Sequence, residues 1–256
     1  MKTKMSYSHL IFSMIVICGI TTGCAYYPRL TSVPLIKEKG DTRIEGGVGV
    51  FSQSLQAAFS QGATDKIAYQ VSGSIDPYGP LNSNGTNTSR LYGQGAIGFY
   101  KNIQDRDVME LYGGFGCGRS EAYKDANPGN FYGNFQSYFL QFNYGYIEKN
   151  KVNLEAGIGL KTGLLHSKMT DANYFFRQDD YPSNGPYPIY HLNGLIFEPT
   201  AFLRLGGKKV KFWIAMGVSK YYQLNYTDKQ LPVFPFDFGI GVSYSFGGHT
   251  RQKAKE

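Results

Sequence analysis

The sequence predicts an all-β protein: an up-and-down antiparallel transmembrane β-barrel of ten strands, with short periplasmic turns and long extracellular loops. Three observations carry this. Apolar and polar residues alternate with a period of two in segment after segment, the pleat of strands with two unlike faces. Short charged turns alternate with longer polar loops along the chain. The 21 Tyr, 18 Phe and 32 Gly among 256 residues suit aromatic girdles at the membrane interfaces and small side chains facing a narrow lumen.

The last strand states the pattern most plainly. Phe236, Phe238, Ile240, Val242, Tyr244 and Phe246 take every second place, with Asp237, Gly239, Gly241, Ser243 and Ser245 between them. The third sets Ile67, Tyr69, Val71 and Ile75 against Ala68, Gln70, Ser72 and Ser74. In the sixth, Tyr138, Leu140, Phe142, Tyr144 and Tyr146 oppose Ser137, Gln141, Asn143 and Gly145. The seventh sets Leu154, Ala156, Ile158 and Leu160 against Glu155, Gly157, Gly159 and Lys161, and the ninth Phe212, Ile214, Met216 and Val218 against Lys211, Trp213, Ala215 and Gly217.

These segments delimit strands over 42–50, 54–60, 67–75, 90–100, 108–118, 134–147, 151–166, 190–205, 209–222 and 235–247. Short turns fall at 62–66, 102–107, 148–151 and 206–209, and long loops at 76–89, 119–133, 167–189 and 223–234. An even count puts both ends of the barrel on the periplasmic side. Eight strands is the alternative, because the hairpin near Val50-Phe51-Ser52 has the weakest boundaries. Pro199 lacks a ladder donor and is expected to mark a bulge.

The greasy faces are assigned to lipid and the polar faces to the lumen. A soluble barrel would show the same alternation with its greasy face inside. Ten faces of Tyr, Phe, Leu and Ile would overfill a small interior, whereas Gly, Ser and paired charges fit one.

The chain divides into a lipoprotein-type signal peptide (1–23), a periplasmic tether (24–40), the barrel (41–247) and a basic periplasmic tail (248–256). Lys2 and Lys4 precede the apolar run "LIFSMIVICGI" and the small residues before Cys24, the order of a cleaved secretory signal. Gly23-Cys24 resembles the lipobox of bacterial lipoproteins, which implies acylation of Cys24. An ordinary signal cut nearby is the alternative. Loss of Lys2 and Lys4 with no acid takes the net charge from +7 to +5. No basic stripe marks a nucleic-acid partner, and Cys117 alone cannot staple the fold. After residue 24 no run approaches the ~20 apolar residues of a membrane helix.

"CAYYP" (24–28), "VPLIKEKGD" (33–41) and "LQAAFSQGATDK" (55–66) resemble a group of Bacteroidetes-type outer-membrane β-barrel lipoproteins of no settled activity. The resemblance covers the first third of the chain at motif level and the rest as a strand pattern. It implies an outer-membrane location with the N-terminal lipid on the periplasmic side. The strand ending at Phe246 is similar to the aromatic-ended assembly signal of such barrels, although ten residues follow it. "YYPRLTSVPLIKEKG" then reads as an extended tether, with Pro28 and Pro34 opposing helix; plugging the periplasmic mouth is its alternative.

The polar faces place Arg43, Glu45, Glu110, Glu155, Lys161, Glu198, Arg204, Lys211 and Asp237 in the lumen. Charges buried there must pair, and five acids against four bases give a salt-bridged core that closes the pore. His166 and His191 flank the loop 167–189, with Asp171, Asp179 and Asp180 near, so an external acid–base dyad is conceivable. Omptin proteases and lipid A deacylases are barrels with such chemistry, but their motif residues find no match here. No metal spacing is present, and "GFGCG" at 114–118 precedes no helix, as a phosphate loop would. No cofactor is expected. Loop 167–189, rich in aromatics and prolines, is the candidate surface for an extracellular ligand or protein; folding over the mouth as a cap is its alternative.

The expectation is a non-catalytic outer-membrane β-barrel lipoprotein with a structural or binding role, its partner of first resort the membrane lipid. The alternatives are a barrel-embedded hydrolase using His166 or His191, and a soluble periplasmic lipoprotein barrel binding an apolar ligand.

Overall fold

Period-two segments become strands throughout a computed structural model, which describes residues 30–76, 86–103, 106–124, 131–149, 153–171, 189–225 and 235–247. The strands are β1 (Thr42–Gly49), β2 (Ser54–Gly62), β3 (Ile67–Asp76), β4 (Thr86–Asn102), β5 (Asp107–Lys124), β6 (Phe131–Lys149), β7 (Asn153–Asp171), β8 (Ile189–Gly206), β9 (Val210–Val218), β10 (Lys220–Gln223) and β11 (Phe236–Phe246). β9 and β10 are one strand with a gap at Ser219, since both pair β8 in a single register, Phe197↔Lys220 and Thr200↔Gly217. Neighbours pair antiparallel, β11 pairs β9, and β1 pairs β11, so ten strands close into a barrel. The first hairpin is real, and its turn carries Gln53 in the left-handed region at φ 52°.

Pro199 makes no bulge. It pairs Leu160 in an unbroken β7–β8 register, and its missing donor coincides with the gap in the β8–β9 ladder between Thr200↔Gly217 and Phe197↔Lys220, while the Ser219 N–H continues the β9–β11 ladder to the Pro235 carbonyl at 2.9 Å.

The walls are unequal. β1, β2 and β3 have 8, 9 and 10 residues, whereas β6 and β7 have 19 each. At about 2.5 Å of height per tilted residue, these correspond to about 20–25 Å and about 48 Å. The extra length lies on the loop side, where β4 to β8 continue past Asp76↔Arg90.

The outer face carries the lipid boundary in its sequence. On β7, Ile158 and Leu164 are exposed, and the next outward residues are His166 and Lys168. On β8, Leu195, Phe197 and Leu205 are exposed, and above them come Asn193 and His191. Leu195 to Leu205 spans about 25 Å, the height of an outer-membrane barrel's apolar band. Ile240, Val242, Tyr244 and Phe246 also point outward, at 40–44% exposure. This direction overturns the alternative of a soluble barrel with an apolar-lined interior.

The lumen is filled. Residues 30–37, without regular structure, run inside the barrel, and Leu35 and Ile36 are fully buried. This corrects the expectation of a periplasmic tether over 24–40: its described part is a plug. Val33 and Leu35 pack with Val108, Ile147 and Phe202, and Ile36 with Ala68, Tyr100 and Tyr112. The aromatic rings therefore divide between the outer face and the interior. Among the inward glycines, two make room for Leu35 and Val33 of the plug. A Cβ on Gly145 would lie 2.5 Å from Leu35 Cδ2 and one on Gly159 2.8 Å from Val33 Cγ2, whereas one on Gly241 would meet the Gly46 carbonyl of β1 before the Trp213 ring.

Candidate functional site

The inward parity of six strands brings all nine expected charges into the lumen, each buried. Five of them form one cluster within three residues of the strands' periplasmic ends. Glu155 on β7 receives Arg43 of β1 in a two-pronged pair, 2.5 Å and 3.1 Å. It also meets Lys211 of β9 at 3.2 Å and Arg204 of β8 at 3.3 Å. Arg204 reaches Glu45 of β1 at 2.6 Å. The cluster ties β1 to β7, β8 and β9 across the barrel. Farther out, Lys161 pairs with Glu198 at 2.5 Å, its ammonium 5.5 Å from the centre of the Phe139 ring.

Two acids are satisfied differently. Glu110 has no ion-pair partner among the described residues; its Oε1 accepts the Ile36 N–H at 2.7 Å and its Oε2 the Asn143 amide at 2.8 Å. Asp237 accepts the backbone N–H of Ser52 at 3.2 Å and its hydroxyl at 3.0 Å, tying the β1–β2 turn to β11. Sequence reasoning missed a further buried pair, Asp76 with Arg90 at 3.2 Å. The period-two count from Gln70 through Ser74 points Asp76 inward, but the expected strand stops at 75 and assigns Asp76 to the loop, which leaves Arg90, at the start of the next expected strand, without its acid.

An irregular segment inside a barrel must place its backbone polar groups on side chains, and this plug does so. The Arg204 guanidinium donates to the Val33 carbonyl at 2.7 Å and the Gln141 amide to the Ser32 carbonyl at 2.9 Å. The Ser32 hydroxyl donates to Glu45 at 2.7 Å. At the plug's base, burial raises the Asp41 carboxyl above its ordinary pKa, opposed by the Lys37 N–H at 3.1 Å and the Arg43 charge. A cavity of about 50 Å³ remains beside Leu30–Ser32, lined by Ala57, Ser74, Tyr92 and Trp213 among others. The missed signal is the apolar tetrad "VPLI" at 33–36, which a water-exposed tether has no reason to carry.

His166 and His191 stand on the outer face, just beyond the apolar band, with ring centres 6.1 Å apart. Nδ1 of His166 is bonded to the side-chain oxygen of Asn193. The two lie on neighbouring strands and face away from the lumen. Among the described residues no group of three His, Cys, Asp or Glu could hold a metal ion. Asp179, Asp180, Cys24, the tail 248–256 and most of loop 167–189 lie outside the described residues; the ends of that loop, 167–171 and 189, belong to β7 and β8.

A barrel closed at ten strands, banded by apolar residues and filled by charge, invites comparison with solved structures. The outer membrane protease OmpT from Escherichia coli is similar over 82% of this chain and 94% of its own, with a TM-score of 0.50 and 9% identity. The fold is of outer-membrane type. The translocator domain of the autotransporter NalP from Neisseria meningitidis matches over 93% of this chain and 96% of its own, with a TM-score of 0.43 and 11% identity. At 9% identity the likeness to the OmpT barrel concerns the fold alone. No family model and no curated protein matches the chain.

Proposed function

We propose that the protein is a non-catalytic outer-membrane β-barrel lipoprotein, acylated at Cys24, with a structural or binding role. The observation that carries this reading is the filled lumen. The ion cluster and the plug side chains occupy the space through which a solute would pass, and ten strands enclose little room beyond them. What remains for contact with the surroundings is the outer end, where β7 and β8, which flank the loop expected at 167–189, continue beyond the apolar band. An extracellular ligand or protein is its proposed partner. Among the described residues the side-chain partner of His166 is the Asn193 amide rather than a carboxylate, which favours the non-catalytic reading.

Reconstitution in planar bilayers tests the closed lumen. The purified full chain is expected to give no stepwise conductance, and steady open-channel steps would overturn it. Metabolic labelling with radioactive palmitate tests the anchor: label is expected on the wild type and absent from Cys24→Ser. Equal labelling of both would overturn lipidation at that residue.

A further inference from the structure

We propose that the chain preceding Leu30 leaves the barrel at its extracellular mouth, so that the lipid on Cys24 enters the outer leaflet from the cell surface rather than the periplasmic leaflet. This rests on the outer-membrane reading and the acylation of Cys24 proposed above.

The direction of the plug carries the inference. Gly40 is bonded to Gly62, at the periplasmic end of β2, and the Lys37 carbonyl to Asn102, at the periplasmic end of β4. Ile36 meets Glu110, three residues up β5. Leu35 lies against Gly145, four residues up β6, and Val33 and Thr31 against Gly159, six up β7. Leu30 is wedged between Gly217 and Gly239, each seven residues up its strand. Read from residue 40 towards residue 30, the contacts of the plug with the wall glycines rise from the periplasm, while Val33 and Ser32 are held from below by the long side chains of Arg204 and Glu45. Leu30 stands about 18 Å above that end, at about 2.5 Å per tilted residue.

Two features decide where the chain goes next. The way back is occupied: the periplasmic mouth is filled on one side by the plug's own passage, and on the other by Arg43, Glu45, Glu155, Arg204 and Lys211, paired at 2.5–3.3 Å. A second backbone there would break those pairs and leave charges buried without partners. The way out is short. Gly239 is three residues from the outer end of β11, in the low wall, so about 8 Å remains to be climbed. Six residues from Cys24 to Arg29 span up to about 20 Å when extended, enough to clear the rim and reach the outer leaflet beside it.

A short hydrophilic epitope inserted between Tyr27 and Pro28 tests this, with the same epitope inserted after Ser183 and, separately, after Glu256. Each full-length variant is probed with antibody on intact and on permeabilised cells, after its heat-modifiable mobility has shown a folded barrel. The expected result is full signal on intact cells at the first two positions, and signal at the C-terminus after permeabilisation only. Signal on intact cells at 183 but not at 27 would overturn the outward exit while leaving the outer-membrane barrel standing. Silence at all three positions until permeabilisation would overturn that barrel reading itself. Should the first insertion fail to fold, Tyr27→Cys in a Cys117→Ser background, labelled with a membrane-impermeant maleimide and compared in the same two conditions, gives the same discrimination.

Discussion

Glu155 faces three cations at once, Arg43, Lys211 and Arg204, at 2.5, 3.2 and 3.3 Å. Glu155→Ala leaves them with Glu45 and the neighbouring Asp41, and removing one member of a buried ion set costs about 3–5 kcal/mol. The expected outcome is a lower temperature for loss of the fast-migrating unboiled band on a detergent gel; no change would mean that the cluster is hydrated. Leu35 permits a sharper test. Its φ of 54° puts a non-glycine residue in the left-handed region, at a cost of about 1–2 kcal/mol, while its side chain is fully buried. Burial wins, worth about 2–5 kcal/mol against alanine, so both Leu35→Ala and Leu35→Gly destabilise. Glycine also relieves the backbone, so Leu35→Gly is expected to melt above Leu35→Ala by about 1 kcal/mol. The reverse order would deny the strain. The nine lumen charges were legible because a strand's period is two and one wrong count flips every side chain. Their partners were not, since pairing across the barrel links β1 to β7 and no local pattern records it.

The plug and the wall that receives it act as one element. Gly145 and Gly159 form a track without side chains for Leu35 and Val33, and overpacking such a contact costs about 1–3 kcal/mol. Gly145→Leu and Gly159→Val are expected to displace the plug and to bring stepwise conductance in bilayers where the wild type has none. Silent variants with unchanged melting would show that the track is not filled. The ten strands were legible as elements, with periplasmic ends within two residues of those found, because hydrophobic alternation and turn chemistry are local. The loop-side ends of β4 to β7 run three to six residues farther than expected, over stretches read as loop for their polar composition. The plug was not legible. Prolines at 28 and 34 oppose helix, but extended chain in water and extended chain in a lumen share that backbone. Only the apolar side chains at 33, 35 and 36 distinguish them. The Pro199 expectation failed for a related reason: a missing donor can be absorbed by a gap in one ladder without an extra residue in the other.

At the scale of the molecule, the apolar band holds the barrel in the membrane independently of any lipid anchor. Cys24→Ser is therefore expected to remain in the membrane fraction and keep its mobility shift on boiling; release into the soluble fraction would overturn the outward assignment of Ile240 and Val242. The pairs of the interior are shielded from solvent, so raising the salt from 0.1 to about 1 M, which shortens the Debye length from ~10 to ~3 Å, is expected to leave the melting temperature unchanged. The unequal walls carry a last consequence, for the surrounding bilayer. Beside β1 and β2 the hydrocarbon meets about 20 Å of strand, against about 25 Å for the usual apolar band. The leaflets must pinch along that arc, at a fraction of a kcal/mol per ångström. Shorter acyl chains are drawn to that arc, whereas beside β8 the band of Leu195 to Leu205 keeps the usual height, so the protein sorts lipid around its own circumference.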